Sequence, residues 1–408
     1  MADPMNDFTS DPVPSADSGD PAFDKRVRRH VTGRIRDYFA VTTPGLEDLC
    51  RNELIGLGMD SRESADETGG AAFKGRLVDC QLANLCLRTA TRVLMRIDAF
   101  TATNPRQLKR RCAAIPWELF LPAGILPDIK ASSRRSRLYH GELIADGVRE
   151  GLMARLGPLS DSHASVSLQT LFVRLAEDRA TLSLDSSGEA LYKRGLKAGP
   201  ARAPIRETLA AAILMAAGYD GRQPLVDPLC GSGTFSLEAA MMAKGLAAGG
   251  RRTFAFMGWP AFRPAQWRYL EQAARDGERR LARPSIFASD IDAGACRELA
   301  SHVAANGLSD AVSVSPKDFF DCEADHYPGG PGLVTINPPY GIRLGAAGAA
   351  ADLFRRICRH LNAAFKGWTV ALIAPESGFL DAVPFPVRQR PLMHGGLKVT
   401  LCCGKVVR

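Results

Sequence analysis

The chain has 408 residues, 46% of them hydrophobic, enough for two or three domains with real cores. Its 52 Lys and Arg against 44 Asp and Glu leave a net charge of +8, which favours anionic partners without naming one. No apolar run approaches a membrane span, the polar start lacks a signal-peptide core, and the ten cysteines contain no Cys-x-x-Cys pair, which argues against a membrane protein, a disulfide scaffold or a zinc site and for a cytoplasmic location.

Residues 1–34 read as a tail. The first 24 are acidic and rich in Pro and Ser, an unstructured composition, and Lys25-Arg26-Val27-Arg28-Arg29-His30 follows as a basic arm. Residues 35–105 read as a small α+β unit: Phe39 to Thr42 is a strand, Pro44-Gly45 a turn, and Glu47 opens a helix carrying Leu49, Leu54 and Leu57. Over 106–195 basic residues concentrate. They occur at Arg106, Lys109, Arg110 and Arg111, and again as Lys130, Arg134, Arg135 and Arg137 beside Tyr139 and His140. A helix through Ile144, Val148 and Leu152 and strands at 165–175 and 179–184 complete this stretch. Cations with Ser, Tyr and His supply the donors and stacking faces that phosphates and bases use, so RNA contact is expected here; a solvated basic face is the competing reading.

From 196 to 408 strands and helices alternate. Five apolar strands are predicted at 224–227, 286–290, 312–315, 333–336 and 368–374, a doubly wound α/β sheet. The first runs into Asp227-Pro228-Leu229-Cys230-Gly231-Ser232-Gly233-Thr234 and then a helix from Phe235 to Lys244. Glycines at 231 and 233 allow positive φ and close backbone approach, and the helix start presents open N–H groups. No Gly-Lys-Ser/Thr follows, which excludes a P-loop. A carboxylate at Asp227 would repel phosphates but can pair with an ammonium group, which favours S-adenosylmethionine over a dinucleotide. Cys230 reads as packing beneath that cofactor rather than as a nucleophile.

The second strand closes on Asp290 and Asp292, acids placed to accept from ribose hydroxyls. Asp290 lies 63 residues after Asp227, against about 20 in a minimal unit, which requires an insertion near 246–284. Its Phe254, Phe256, Trp259, Phe262 and Trp267 read as a packed excursion. The third strand leads to Asp318-Phe319, where a carboxylate would meet the adenine amino group and an aromatic its ring. The fourth ends on Asn337-Pro338-Pro339-Tyr340. A nucleobase amino nitrogen is a poor nucleophile because its lone pair is drawn into the ring. The Asn337 oxygen and the Pro338 carbonyl are acceptors for its two N–H groups, the prolines hold them in a stiff turn without competing donors, and Tyr340 offers a stacking face. Further on, Leu353, Phe354, Ile357 and Leu361 form a core-facing helical stripe opposite Arg355, Arg356 and Arg359, and Leu392 to Leu401 turns at Gly395-Gly396.

With these residues in view, 200–408 resembles a class I S-adenosylmethionine-dependent methyltransferase of the amino-methylating kind, through Asp227 to Thr234 and Asn337 to Tyr340. Leu191-Tyr192-Lys193-Arg194-Gly195 and Ala203 to Ala211 are similar to the segment that leads into the catalytic domain of THUMP-containing RNA methyltransferases, nearest the bacterial 23S rRNA guanine-N2 type. The resemblance implies a Rossmann-like domain over 196–408 whose last strand is inserted antiparallel, preceded by a ferredoxin-like unit at 35–105 and a THUMP-like RNA-binding unit at 106–195. It implies S-adenosylmethionine held by Asp227, Pro228, Cys230, Gly231, Ser232, Gly233, Thr234, Asp290, Asp292, Asp318, Phe319 and Asn337. Catalysis would fall to Asn337, Pro338, Pro339 and Tyr340, and RNA contact to Arg110, Arg111, Lys130, Arg134, Arg135, Arg137, Tyr139 and His140. The expected partner is 23S rRNA, with no metal and no membrane, and the protein is expected to be a monomer. Ile342 departs from the pattern, standing where relatives carry an acidic residue. Guanine rests on the resemblance alone, since adenine N6 and cytosine N4 present the same amino group. DNA or tRNA as substrate, and a non-catalytic role in ribosome assembly, are the other readings.

Overall fold

The structure is a computed structural model that describes residues 20–62, 68–161, 169–197, 205–339, 347–375 and 377–407. The amino-terminal half contains α1 (Pro21–Val27), β1 (Arg36–Val41), α2 (Glu47–Gly56), β2 (Gly70–Gly75), α3 (Leu77–Cys86), β3 (Arg92–Thr101), α4 (Pro105–Ala113), β4 (Ile125–Leu126), β5 (Asp128–Arg134), α5 (Gly141–Leu156), β6 (Ser160–Asp161), β7 (Thr170–Ala176) and β8 (Arg179–Asp185). Six of these strands form one sheet in the order β2-β1-β3-β8-β7-β5. The boundary expected at 105/106 therefore crosses a continuous sheet, in which β3 pairs with β8 from Leu94↔Asp185 to Thr101↔Arg179. Only β5 and β7 run parallel within it, and α5 makes the crossover that parallel pairing demands.

Residues 20–32 differ from the expectation of an unstructured tail. Asp20 caps α1 by accepting from the Ala22 N–H at 2.9 Å, Pro21 occupies the first turn, and the helix continues as a π-turn through Arg28–Thr32. Val27 and Val31, four apart and so on one face, are buried in the amino-terminal core. That contact is what orders the basic arm.

The carboxy-terminal half contains α6 (Glu207–Ala216), β9 (Leu225–Asp227), α7 (Thr234–Lys244), α8 (Pro264–Arg275), β10 (Ile286–Asp290), α9 (Ala293–Ala305), β11 (Val312–Pro316), β12 (Leu333–Ile336), α10 (Ala347–Ala364), β13 (Thr369–Ala374), β14 (Val387–His394) and β15 (Leu397–Lys405). The sheet order is β11-β10-β9-β12-β13-β15-β14. Its first five strands are parallel and β15 is inserted antiparallel beside β13, as the resemblance implied. One core covers each face, with α6, α7 and α9 on one side and α10 on the other, where Phe354, Ile357 and Leu361 are buried.

The two halves exchange side chains. Phe254, Phe256, Trp259 and Trp267 of the 246–284 insertion belong to the amino-terminal core, with Phe254 and Phe256 stacked at 5.1 Å and Trp267 edge-on to both. In return Leu46 of the amino-terminal half is buried in the carboxy-terminal core, and Arg390 on β14 forks onto both oxygens of Asp48 at 2.6 and 2.7 Å. The segment joining the halves is pinned by Arg194, whose side chain donates to Glu238 of α7 at 3.0 Å with both groups buried. Among the described residues no helix is long and apolar enough to cross a membrane.

Candidate active site

Parallel register brings four predicted residues to one edge of the sheet. Ala288 is level with Asp227, so Asp290 lies two residues beyond it. Asp290 is level with Pro316, so Asp318 lies two residues beyond that. Val334 is level with Val226, so Asn337 emerges three residues past that pair. The connections run toward β10 and β11 on one side of β9 and toward β12 and β13 on the other, which makes the β9/β12 gap the switch point where open parallel sheets bind ligands.

The glycine loop is shaped by its own backbone. Gly231 has φ +49° and Gly233 φ +74°, and the Gly233 N–H closes a turn onto the Cys230 carbonyl at 2.7 Å. A Cβ on Gly233 would lie 2.2 Å from Leu299, so α9 packing demands glycine there. A Cβ on Gly231 would meet nothing within 4 Å among the described residues, so open space lies before that residue. The Gly231 N–H donates to Asp290 at 2.9 Å, which ties the loop to the neighbouring strand end.

Charges under the loop are arranged tightly. Asp227 is buried and accepts from the Ser236 hydroxyl at 2.7 Å. Burial raises its pKa to about 7, only partly offset by Ser236, and the nearby Asp290 adds to the rise. Lys197, which the residue pattern alone did not single out, also reaches the loop. Its ammonium donates to Thr234 Oγ1 at 2.6 Å and Ser232 Oγ at 3.3 Å, and stands 3.7 Å from Glu207. Desolvation lowers its pKa. Nothing periodic marks this lysine; only the folding of 191–197 against α7 delivers it. Ile291 was also missed: next to Asp290 at the sheet edge, it is 74% exposed, an apolar face beside an acid.

Other predicted residues are used differently. Asp292 spends its carboxylate capping α9, accepting from Gly294 and Ala295 N–H groups, which competes with a ribose contact. Asp318 is half-buried and accepts from the Phe320 N–H at 3.0 Å. Phe319 cannot offer its ring to adenine, because it is 2% exposed and packed against His360 and Phe365. The Cys230 thiol is buried and pushed well above its ordinary pKa, so it is no thiolate nucleophile. Pro228 sits in the turn after β9, ahead of Ser232 on the loop and Thr234 at the start of α7. At the fourth strand end β12 is buried throughout, Asn337 is half-buried, Pro338 buried and Pro339 exposed. Tyr340 and Ile342 lie outside the described residues.

The predicted RNA contacts are spread over α4 (Arg110, Arg111), β5 (Lys130, Arg134) and the β5–α5 connection (Arg135, Arg137, Tyr139, His140). Arg110, Arg134, Tyr139 and His140 are exposed, and Tyr139 lies against His140 with ring centres 4.1 Å apart. Lys130 stands 3.5 Å from Asp128, Arg135 3.9 Å from Glu177, Arg137 3.4 Å from Asp178 and Arg111 3.6 Å from Asp98. Such long surface pairs are worth about 0–1 kcal/mol each, so a phosphate can displace them.

Residues 194–402 match the family described as RMKL-like, methyltransferase domain, and residues 37–94 match an RlmL ferredoxin-like domain. Over 373 residues the chain is 32% identical to a candidate RNA methyltransferase of Synechocystis sp., across 90% of this chain and 96% of that one. It is 35% identical over 347 residues to the ribosomal RNA large subunit methyltransferase K/L of Syntrophotalea carbinolica, across 82% of this chain but 48% of that protein, so it spans about half that relative's length. Among solved structures, the candidate methyltransferase SMU.472, complexed with SAH, superimposes with TM-score 0.83 at 28% identity, covering 92% of this chain and 99% of that chain. A predicted N6-adenine-specific DNA methylase of Listeria monocytogenes does so with TM-score 0.81 at 28% identity, covering 91% and 96%.

Proposed function

Because the chain belongs to the RMKL-like methyltransferase family, we propose that it methylates an exocyclic amino group of RNA, guanine N2 of 23S rRNA, in the cytoplasm. The observation that carries this reading is the convergence of Asp227, Asp290, Asp318 and Asn337 on the carboxyl edge at the switch point. The methyl donor is S-adenosylmethionine. The residues present fit it: the space before Gly231 admits a ligand against bare backbone, Asp290 with the exposed Ile291 suits a ribose and an adenine, and Asp227 with Lys197 suits an amino-acid end carrying both charges. When bound, it supplies a methyl group on a positively charged sulfur that leaves as a neutral thioether.

The protein's own task is then to hold the acceptor nitrogen. Asn337 and the Pro338 carbonyl would accept from its two N–H groups, favouring the geometry in which the lone pair points at the methyl group. Positive charge builds on that nitrogen only as the new bond forms, so acceptors held in place stabilise the transition state; the methylated nitrogen is then acidic and loses one N–H proton to water, so no strong base is needed. The target base would leave its stack to reach this edge.

Asp227 predicts a pH dependence. Pairing with an ammonium requires the carboxylate, and its pKa lies at about 7 in the protein alone. Affinity for S-adenosylhomocysteine is therefore expected to rise about tenfold between about pH 6 and pH 8, with proton release on binding. Calorimetry in buffers of different ionisation enthalpy checks this; affinity independent of pH would remove Asp227 from the ammonium site.

The substrate is tested by incubation with labelled cofactor and protein-free 23S rRNA, tRNA or duplex DNA, followed by mass spectrometry of nucleosides. N2-methylguanosine in rRNA is the expected product. Transfer to DNA adenine alone would favour the second reading, which the name of the Listeria neighbour supports. Cofactor binding without transfer to any of the three would favour a non-catalytic role.

A further inference from the structure

The β14–β15 hairpin overhangs the catalytic edge. Ala374, the last residue of β13, pairs with Thr400, while the tip pairs His394 with Leu397 and turns at Gly395 and Gly396, φ +57° and +86°. The tip thus extends roughly 10 Å past the end of β13 at about 3.4 Å per residue. Alternation places Leu392, His394, Leu397 and Val399 on one face. Leu392 and Val399 are buried in the catalytic core, but two residues further on the same face runs past it, and Leu397 is left 39% exposed.

A cation and an aromatic stand beside this overhang. Arg206, at the start of α6, lies over the Tyr192 ring at 4.9 Å, and next to it Glu207 faces Lys197, which itself bonds the glycine loop. The hairpin and this pair share one packed layer: Ile205 and Leu209, on either side of Arg206, are buried in the same core as Leu392 and Val399, and burial and then the Arg206 charge lower the His394 pKa. Lys398 adds a second exposed cation, opposite Met393 on the other face. Glu207, the acid nearest Arg206 in sequence, already faces Lys197. The result is an apolar and cationic rim with a flat aromatic in it, at the edge where Asn337 emerges. Single exposed leucines need no explanation. One that shares the reaction edge with a stacked Arg–Tyr pair has the composition that holds a single strand: a cation for a phosphate and flat or apolar faces for a base and ribose.

We propose that the hairpin tip and the Arg206–Tyr192 pair form the surface that grips the RNA strand flanking the target nucleotide, Arg206 meeting a phosphate and Leu397 with Tyr192 meeting a base and its ribose. This rests on the RNA-methyltransfer reading. It divides recognition in two: the distant Tyr139–His140 surface would hold a folded part of the RNA, and the rim would hold the nucleotides beside the reacting one.

The test uses the full chain with Arg206→Ala, Arg206→Lys and Leu397→Ser, none of them among the residues assigned to the cofactor or the amine. Filter binding to protein-free 23S rRNA is measured across salt concentrations, with transfer kinetics and S-adenosylhomocysteine affinity in parallel. Arg206→Ala should raise KM for RNA about five- to tenfold, leave kcat and cofactor affinity within about twofold, and flatten the plot of log affinity against log salt by about 0.7 to 0.9, one phosphate's share. Arg206→Lys should restore the slope, and Leu397→Ser should raise KM without changing it. An unchanged salt slope in Arg206→Ala, or an unchanged KM in Leu397→Ser, overturns the proposal, as does absence of RNA binding by the unsubstituted protein. RNA binding by that protein without transfer counts instead against the assigned reaction, and the slope comparison still decides the rim.

Discussion

Replacing Asn337 with alanine is expected to lower kcat for methyl transfer by at least about 10²- to 10³-fold, the scale seen when one preorganised transition-state partner is removed. Affinity for S-adenosylhomocysteine should stay within about twofold. The expectation rests on the rigidity of the position. β12 is buried at all four residues and paired on both sides, so the strand end cannot drift. Pro338 is buried behind Asn337, and neither proline has an N–H that could occupy the amide oxygen. Alanine keeps this backbone and removes the side-chain amide with its acceptor oxygen. A shift in KM alone would mean that the residue binds substrate and transition state equally. Near-normal turnover under single-turnover conditions would remove Asn337 from the chemistry altogether.

The second large effect is expected far from that edge. Trp259→Ala should destabilise the amino-terminal core by about 3–5 kcal/mol, the usual range for truncating a buried tryptophan. Trp259 is 1% exposed, and its indole N–H donates to Gln169 at 2.9 Å while that amide donates back to the Ala255 carbonyl at 2.9 Å. Truncation opens a void and removes a hydrogen bond from a buried amide. The cofactor loop packs in the other core, so S-adenosylhomocysteine binding should persist while affinity for the proposed RNA substrate falls. Circular dichroism during guanidinium unfolding and limited proteolysis would show the amino-terminal half loosening first. Trp259→Phe should recover most of the packing but not the hydrogen bond. An unfolding midpoint unchanged in Trp259→Ala would mean that the insertion does not fasten the two halves.

Strand ends are legible in the sequence because parallel strands buried on both faces are short apolar runs, and the residues just past them are chemically conspicuous: glycines, acids, or Asn with two prolines. Asp227, Gly231, Gly233, Asp290 and Asn337 stand out that way, and the register brings them to one edge. Roles of individual side chains are less legible. Phe319 comes after an acid at a strand end and looks exposed in sequence, yet it faces inward because the surface beneath it, His360 and Phe365 from the end of α10 onward, comes from about 40 residues later. Asp292 has the look of a second ribose ligand, but an acid one residue before a helix is also its natural cap. Lys197 gives no signal, since its contacts with Ser232 and Thr234 are made across 35 and 37 residues.

The sequence by itself therefore determined the fold class, the strand ends and the chemical types gathered at the site, because hydrophobic period and turn chemistry act over a few residues. Tertiary structure alone decided which side chains face the crevice and how the halves are joined. The insertion's aromatics complete the core of a domain that ends some 60 residues earlier in the chain, and one sheet runs through what composition divides at 105/106. Burial is a property of partners distant in sequence, and no local pattern carries it.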